Sequence, residues 1–112
     1  MVDVVPAEVR HAEALAGDLR PEDAAEVAAT GETAREALLR SLASSDYARA
    51  AIDEDGNVLA VWGTTPLTLL GGVATVWLLT GRAVERHKLS MLRIARRELA
   101  FMHARFFCLG NM

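Results

Sequence analysis

The chain has a single cysteine, Cys108, so no disulfide can form within it, a pattern that fits a reducing compartment. Proline is scarce, at three residues, and aromatics make up only 5% of the chain. The longest apolar segment, Val73–Leu79, is far too short to cross a bilayer. The first residues, MVDVVPAEVRHAEAL, carry neither the basic region nor the apolar run of a secretory leader. These absences predict a soluble intracellular protein that makes no use of a membrane. His11, His87 and His103 show no spacing that suits a metal ion, so no metal is expected. One absence bears on chemistry. After Gly81 there is no glycine until Gly110, although Gly81 stands at a junction where many α/β proteins hold phosphate.

What is present is enough for one fold. The 112 residues bound the chain to a single domain, 1–112, and 52% hydrophobic content argues for a packed core. Val2, Val4, Val5 and Pro6 read as a short strand. Ala7 to about Leu19 reads as a helix, with Val9, Ala12, Leu15, Ala16 and Leu19 on one face. Pro21 opens a second helix over 22–29, and Gly31 is a plausible stop. Thr33 and Glu36 form a capping box for a third helix that fades near Ser44 and Ser45. Strands are expected at 47–53 and 58–65, joined by a hairpin turn at Asp55-Gly56. Gly71-Gly72 marks a further turn. Val73–Leu79 then reads as a strand covered on both faces.

From Arg82 to about Arg105 the pattern predicts one long helix, with Val84, Met91, Leu92, Ala95, Leu99 and Met102 facing inward. Residues 106–109 read as a last strand, parallel to the one before the helix. The class is therefore α+β: N-terminal strand and helices, antiparallel meander, long helix, parallel strand. Charge divides along the chain. Residues 1–81 hold 13 acidic and 5 basic residues, and residues 82–112 hold 2 acidic and 7 basic. The plain expectation is that the basic helix packs beside the acidic helices of its own domain. The arginine face (Arg86, Arg93, Arg96, Arg97) could otherwise meet an acidic partner in a small inhibitor or adaptor. No aromatic interleaving or reading helix accompanies it, which argues against nucleic acid.

The stretches VDVVPAEVRHAEALAGDLRPEDAAEV, AIDEDGNVLAVWG, VATVWLLTG and FFCLGN resemble, in order, the opening strand and helices, the hairpin, the fourth strand and the fifth strand of the GNAT acyltransferase fold. More narrowly, RPEDAAEV, the WLLTG–helix junction and FFCLGNM resemble a degenerate GNAT-like branch among internal virion proteins of short-tailed bacteriophages. The resemblance implies a location in the host cytoplasm or the virion.

Two departures qualify it. An active member carries Gln/Arg-x-x-Gly-x-Gly/Ala after the fourth strand, whose backbone amides close around the coenzyme A pyrophosphate. Here the register starting at Arg82 puts Glu85 and His87 where the glycines belong. The family fold also continues past its fifth strand into a helix bearing an acidic tyrosine, then a closing hairpin, and this chain stops short of both. Its one tyrosine, Tyr47, lies far earlier.

These departures imply a non-catalytic GNAT-like phage protein, virion- or assembly-associated. It would act through a protein partner or self-association at an exposed C-terminal edge, with no cofactor. The alternative is an N-acetyltransferase taking acetyl-CoA and an unknown amine. The cofactor would then lie along Leu78, Leu79 and Thr80, with phosphates near Arg82, Arg86 and Lys88. Of the other candidates, Cys108 reads as a core thiol, Trp62 and Trp77 as a cross-strand pair, and Glu54 and Asp55 as turn residues.

Overall fold

The computed structural model describes residues 2–66, 73–105 and 108–111. The order is β1 (Asp3–Pro6), α1 (Val9–Ala16), α2 (Pro21–Ala28), α3 (Ala34–Ser44), β2 (Tyr47–Ile52), β3 (Val58–Pro66), β4 (Val73–Thr80), α4 (Lys88–Arg105) and β5 (Cys108–Asn111). The strands form one sheet in the order β1-β2-β3-β4-β5. All neighbours run antiparallel except β4 and β5, which are parallel, as expected of strands joined through a helix.

Local chemistry sets most boundaries. Thr33 Oγ1 accepts the Glu36 N–H at 3.1 Å, and Glu36 Oε1 accepts the Thr33 N–H at 2.9 Å, closing the expected capping box. The β2–β3 turn needs the left-handed conformation that Gly56 supplies (φ 86°). Asp53 organises the same turn by accepting the N–H groups of Asp55 and Asn57, each at 2.9 Å.

Two cores sandwich the sheet. Leu15, Leu38, Val61 and Trp77 pack on the face covered by α1, α2 and α3, and Trp62, Ala60, Ala83 and Ile94 pack on the α4 face. Among the described residues no helix is long and apolar enough to cross a membrane.

Several expectations change. α1 ends at Ala16, and Leu19 instead forms a bridge with Gly81 at the end of β4. Residues 82–87 are not the first turns of the long helix. They form a 3₁₀ turn, and α4 begins at Lys88. β4 is not covered on both faces: Leu78 is 54% exposed, because α4 leaves a groove beside it.

The inner face of α4 also differs. Ile94 and Glu98 are buried, whereas Leu92, Ala95 and Leu99 are exposed. Trp62 and Trp77 do not pair. The register sets Trp62 opposite Leu78 and Trp77 opposite Gly63, so the two indoles project from opposite faces. The basic helix does not lie beside the acidic ones, since the sheet separates α4 from α1–α3. The Gly71-Gly72 turn, Phe106, Phe107 and Met112 lie outside the described residues.

Candidate functional site

The site grows from one stretch of β4. The Gly81 N–H donates to the Leu59 carbonyl at 2.8 Å, which makes these two a hydrogen-bonded pair. Alternation along the antiparallel ladder then turns the peptide groups of Val76, Leu78 and Thr80 away from β3. Those of Thr80 are taken. Its N–H donates to Asp23 Oδ2 at 2.7 Å, and its carbonyl accepts from the Arg20 N–H at 3.0 Å. On the other side, the register of β5 reaches Val76. Leu78 falls between, and among the described residues nothing hydrogen-bonds to its outward N–H and C=O. Among the described residues this length of β4 edge is unpartnered, and its peptide groups could pair with one extended amide-bearing chain.

A groove of about 390 Å³ runs alongside it. The sheet wall is Trp62, Val76, Leu78 and Thr80, and the helical wall runs from Val84 through Met91 and Leu92 to Ala95 and Leu99. The two ends differ. At one, Glu85 pairs with Lys88 at 2.9 Å and lies 3.9 Å from Arg20. The hydrogen bond and charge of Lys88 hold the Glu85 carboxyl below the usual carboxylate range.

At the other end lies Glu98, 9% exposed. Its Oε1 accepts the Tyr47 hydroxyl and, at 3.0 Å, the Trp62 indole N–H. Arg49 Nε donates in turn to the Tyr47 oxygen at 3.3 Å, and Phe101 stacks at a tilt on the Tyr47 ring, 5.0 Å between centroids. Burial and the adjacent carboxylate push the Tyr47 phenol above its ordinary pKa, so it stays protonated and donating. A second depression, about 540 Å³, lies across the strand between Trp77, Leu79, Val27 and Ser41, so Leu78 stands at the seam of two hollows.

Of the residues expected to bind a cofactor, Leu78, Thr80 and Lys88 line the groove. Leu79 points to the opposite hollow, and Arg82 and Arg86 are exposed and outside both. Nor does the 3₁₀ turn present a fan of free amides. The Arg82 N–H donates to the Asp18 carbonyl at 3.0 Å, and the Val84 N–H to that of Gly81 at 3.2 Å. Gly81 is crowded: an added Cβ would lie 2.9 Å from Leu15 Cδ1 and 3.1 and 3.2 Å from the Val58 and Asp18 carbonyl oxygens.

The sequence reading missed Asp23, Glu98 and Tyr47. Asp23 shows no sequence signal beyond a helix-start carboxylate. Glu98 was visible in principle, since it stands four residues after Ile94 on one helical face. Among the described residues no cluster suits a metal ion.

By sequence, no family profile and no curated protein matches the chain. Solved structures do match by shape. One is a Staphylococcus aureus protein of unknown function, SA2161, described as a probable acetyltransferase; it matches at a TM-score of 0.58 and 14% identity, over 100% of this chain and 79% of its own. A candidate phosphinothricin N-acetyltransferase matches at 0.53 and 20%, over 87% of this chain. This chain spans 66% of that protein, just under two thirds of its length. An integron cassette protein from the V. cholerae mobile metagenome matches at 0.53 and 15%, over 99% and 74%. The fold is α+β and GNAT-like. At these identities the likeness is one of fold.

Proposed function

We propose that the domain is a GNAT-type N-acyltransferase that takes an acyl thioester such as acetyl-CoA and passes its acyl group to an amine. The observation that carries this reading is the β4 peptide of Leu78, turned away from β3 and without a partner among the described residues, on the floor of an apolar groove. A pantetheine arm is an extended chain of two amides, and one free N–H and one free C=O on a strand edge are its natural partners. The acetyl thioester, when bound, supplies the activated acyl group. The chain's own residues supply position: Leu78 orients the arm, Met91 and Leu92 flank it, and Glu98 stands beyond its end.

The fit to the donor is uneven. The acyl and pantetheine portion suits the groove. For the diphosphate, the amides of Arg82 and Val84 in the turn after β4 are already used. The cations that line that end of the groove, Arg20 and Lys88, are both engaged by Glu85. In an amide-resolved NMR titration with acetyl-CoA, the largest shifts are expected at 76–80 and 88–92. Absence of any shift at millimolar ligand would sink this reading.

That same turn favours a second reading. A GNAT-like protein with no diphosphate cradle suits a non-catalytic role, virion- or assembly-associated in a short-tailed bacteriophage, acting by protein contacts. The outer edge of β5 would then be where a protein partner or a second copy pairs. Saturable binding of acetyl-CoA to the folded chain counts against it.

A further inference from the structure

Glu98 is a carboxylate in a wall that is otherwise mostly apolar, and only half of it is used. Both hydrogen bonds it receives, from Tyr47 and from Trp62, go to Oε1. Among the described residues Oε2 receives none, and it is not sealed off, since His11 Nε2 is the sole buried polar side-chain atom found without a partner among them. Among the described residues no cation pairs with the group directly. Arg49 is the nearest base in the cluster, and its Nε bonds to the Tyr47 oxygen instead. The cationic side chains that line the groove, Arg20 and Lys88, stand with Glu85 at its other end, against Thr80. The result is a groove with an apolar middle and, at one end, a carboxylate whose Oε2 has no hydrogen-bond partner among the described residues. Its volume of about 390 Å³ is of the size that takes a small molecule.

We infer that Glu98 is the recognition residue for a small amine with an apolar body, whose ammonium donates to Oε2 while its alkyl or aryl portion lies against Trp62, Leu92 and Leu99. Tyr47 and Trp62 act as positioning residues. By occupying Oε1 they fix the carboxylate plane and leave one oxygen for the ligand. The apolar wall disfavours polyamines, whose further charged nitrogens would have to lie against it. This names the acceptor class for the acyl transfer proposed above and rests on that reading for its role in a reaction. The binding itself does not require a donor.

The test uses the full chain without acetyl-CoA, titrated with 2-phenylethylamine and with its neutral counterpart 2-phenylethanol, followed by tryptophan emission. The amine is expected to bind at least about tenfold more tightly than the alcohol, the discrimination that one charge-assisted hydrogen bond supplies. Glu98→Gln keeps an acceptor for Tyr47 and Trp62 and is expected to bring the two ligands to equal affinity. Leu92→Trp, a substitution at an exposed position, is expected to block both ligands while leaving the carboxylate intact, and it decides the matter should Glu98→Gln fail to fold. Equal affinities for amine and alcohol in the unaltered chain would overturn the inference, as would amine binding that survives both substitutions. Amine preference without acetyl-CoA binding would support this site and refute the donor reading. The reverse result would refute this site alone.

Discussion

Two glycines undergoing the same chemical change should respond with opposite signs. Gly17 follows α1 at φ −84° and ψ −3°, a conformation any residue adopts, and an added Cβ would meet nothing nearer than the Ala14 carbonyl oxygen at 3.9 Å. Gly17→Ala therefore acts on the unfolded chain, removing conformations it would otherwise lose on folding, and should stabilise by about 0.4–1 kcal/mol. Gly63 sits in β3 with no such room. Its Cβ would fall 2.5 Å from the Tyr47 carbonyl oxygen and 3.0 Å from two carbons of the Trp77 ring.

Neither neighbour is free to give way. The Tyr47 carbonyl belongs to the β2 backbone, and the Trp77 indole is 3% exposed and donates to Ser45 Oγ at 2.6 Å. Overpacking of this kind costs about 1–3 kcal/mol, so the two variants should differ by about 1.5–4 kcal/mol. Urea unfolding should show Gly17→Ala with a raised midpoint and Gly63→Ala with a lowered one, a spread of about 1 M at unchanged slope. Because the displaced backbone carries Tyr47, Gly63→Ala should also disturb the Tyr47–Glu98 contact. A Gly63→Ala protein as stable as the unaltered chain would refute the packing described for β2, β3 and β4.

Thr33→Ala removes the α3 cap and its reciprocal bond with Glu36, and should cost about 1 kcal/mol by denaturant titration. Leu38 is fully buried, so Leu38→Ala should cost about 2–5 kcal/mol in the same assay. Asp23→Ala leaves the Thr80 N–H and hydroxyl without their shared acceptor and should lower stability by about 2 kcal/mol, with Asp23→Asn milder. Burial alone would raise the Asp53 carboxyl, but the Asn57 side chain, the N–H groups of Asn57 and Asp55, and nearby His87 hold it below its ordinary value. A carboxylate lowered on folding contributes stability that is complete above its unfolded pKa and is lost as pH falls through the folded one. The melting temperature should therefore drop as pH falls below about 4, and Asp53→Asn should flatten that slope.

The topology was legible because its signals are local. A capping box, an Asp-Gly turn and alternating or continuous apolar runs each fix an element from a few residues, and among the described residues the strands and helices emerge in the expected order. The groove was not legible, for physical reasons. Reading Leu92, Ala95 and Leu99 as the inner face of α4 assumed that apolar residues face the core. The helix instead turns Ile94 and Glu98 inward, because Tyr47 and Trp62 lie there to satisfy a carboxylate. Tyr47 and Glu98 are separated by 51 residues, and no local pattern announces such a contact. The start of α4 differs because Arg82–His87 has the composition of a helix, while the bonds from the Arg82 N–H to Asp18 and from the Gly81 N–H to Leu59 hold the chain in a tighter turn. The absence of glycines after Gly81 was legible, and in the structure the N–H groups of Arg82 and Val84 in that turn are bonded to Asp18 and Gly81.

The central claim is that the open peptide of Leu78 receives the arm of an acyl thioester. Isothermal calorimetry with acetyl-CoA, on the unaltered chain and on Leu78→Pro, tests it most directly. Leu78 turns its N–H away from β3, so proline there removes the edge donor and spares the ladder. Saturable heat with the unaltered chain, lost in Leu78→Pro with both proteins shown to be folded, is the predicted result. No heat at millimolar ligand, or equal binding by the two proteins, would contradict it.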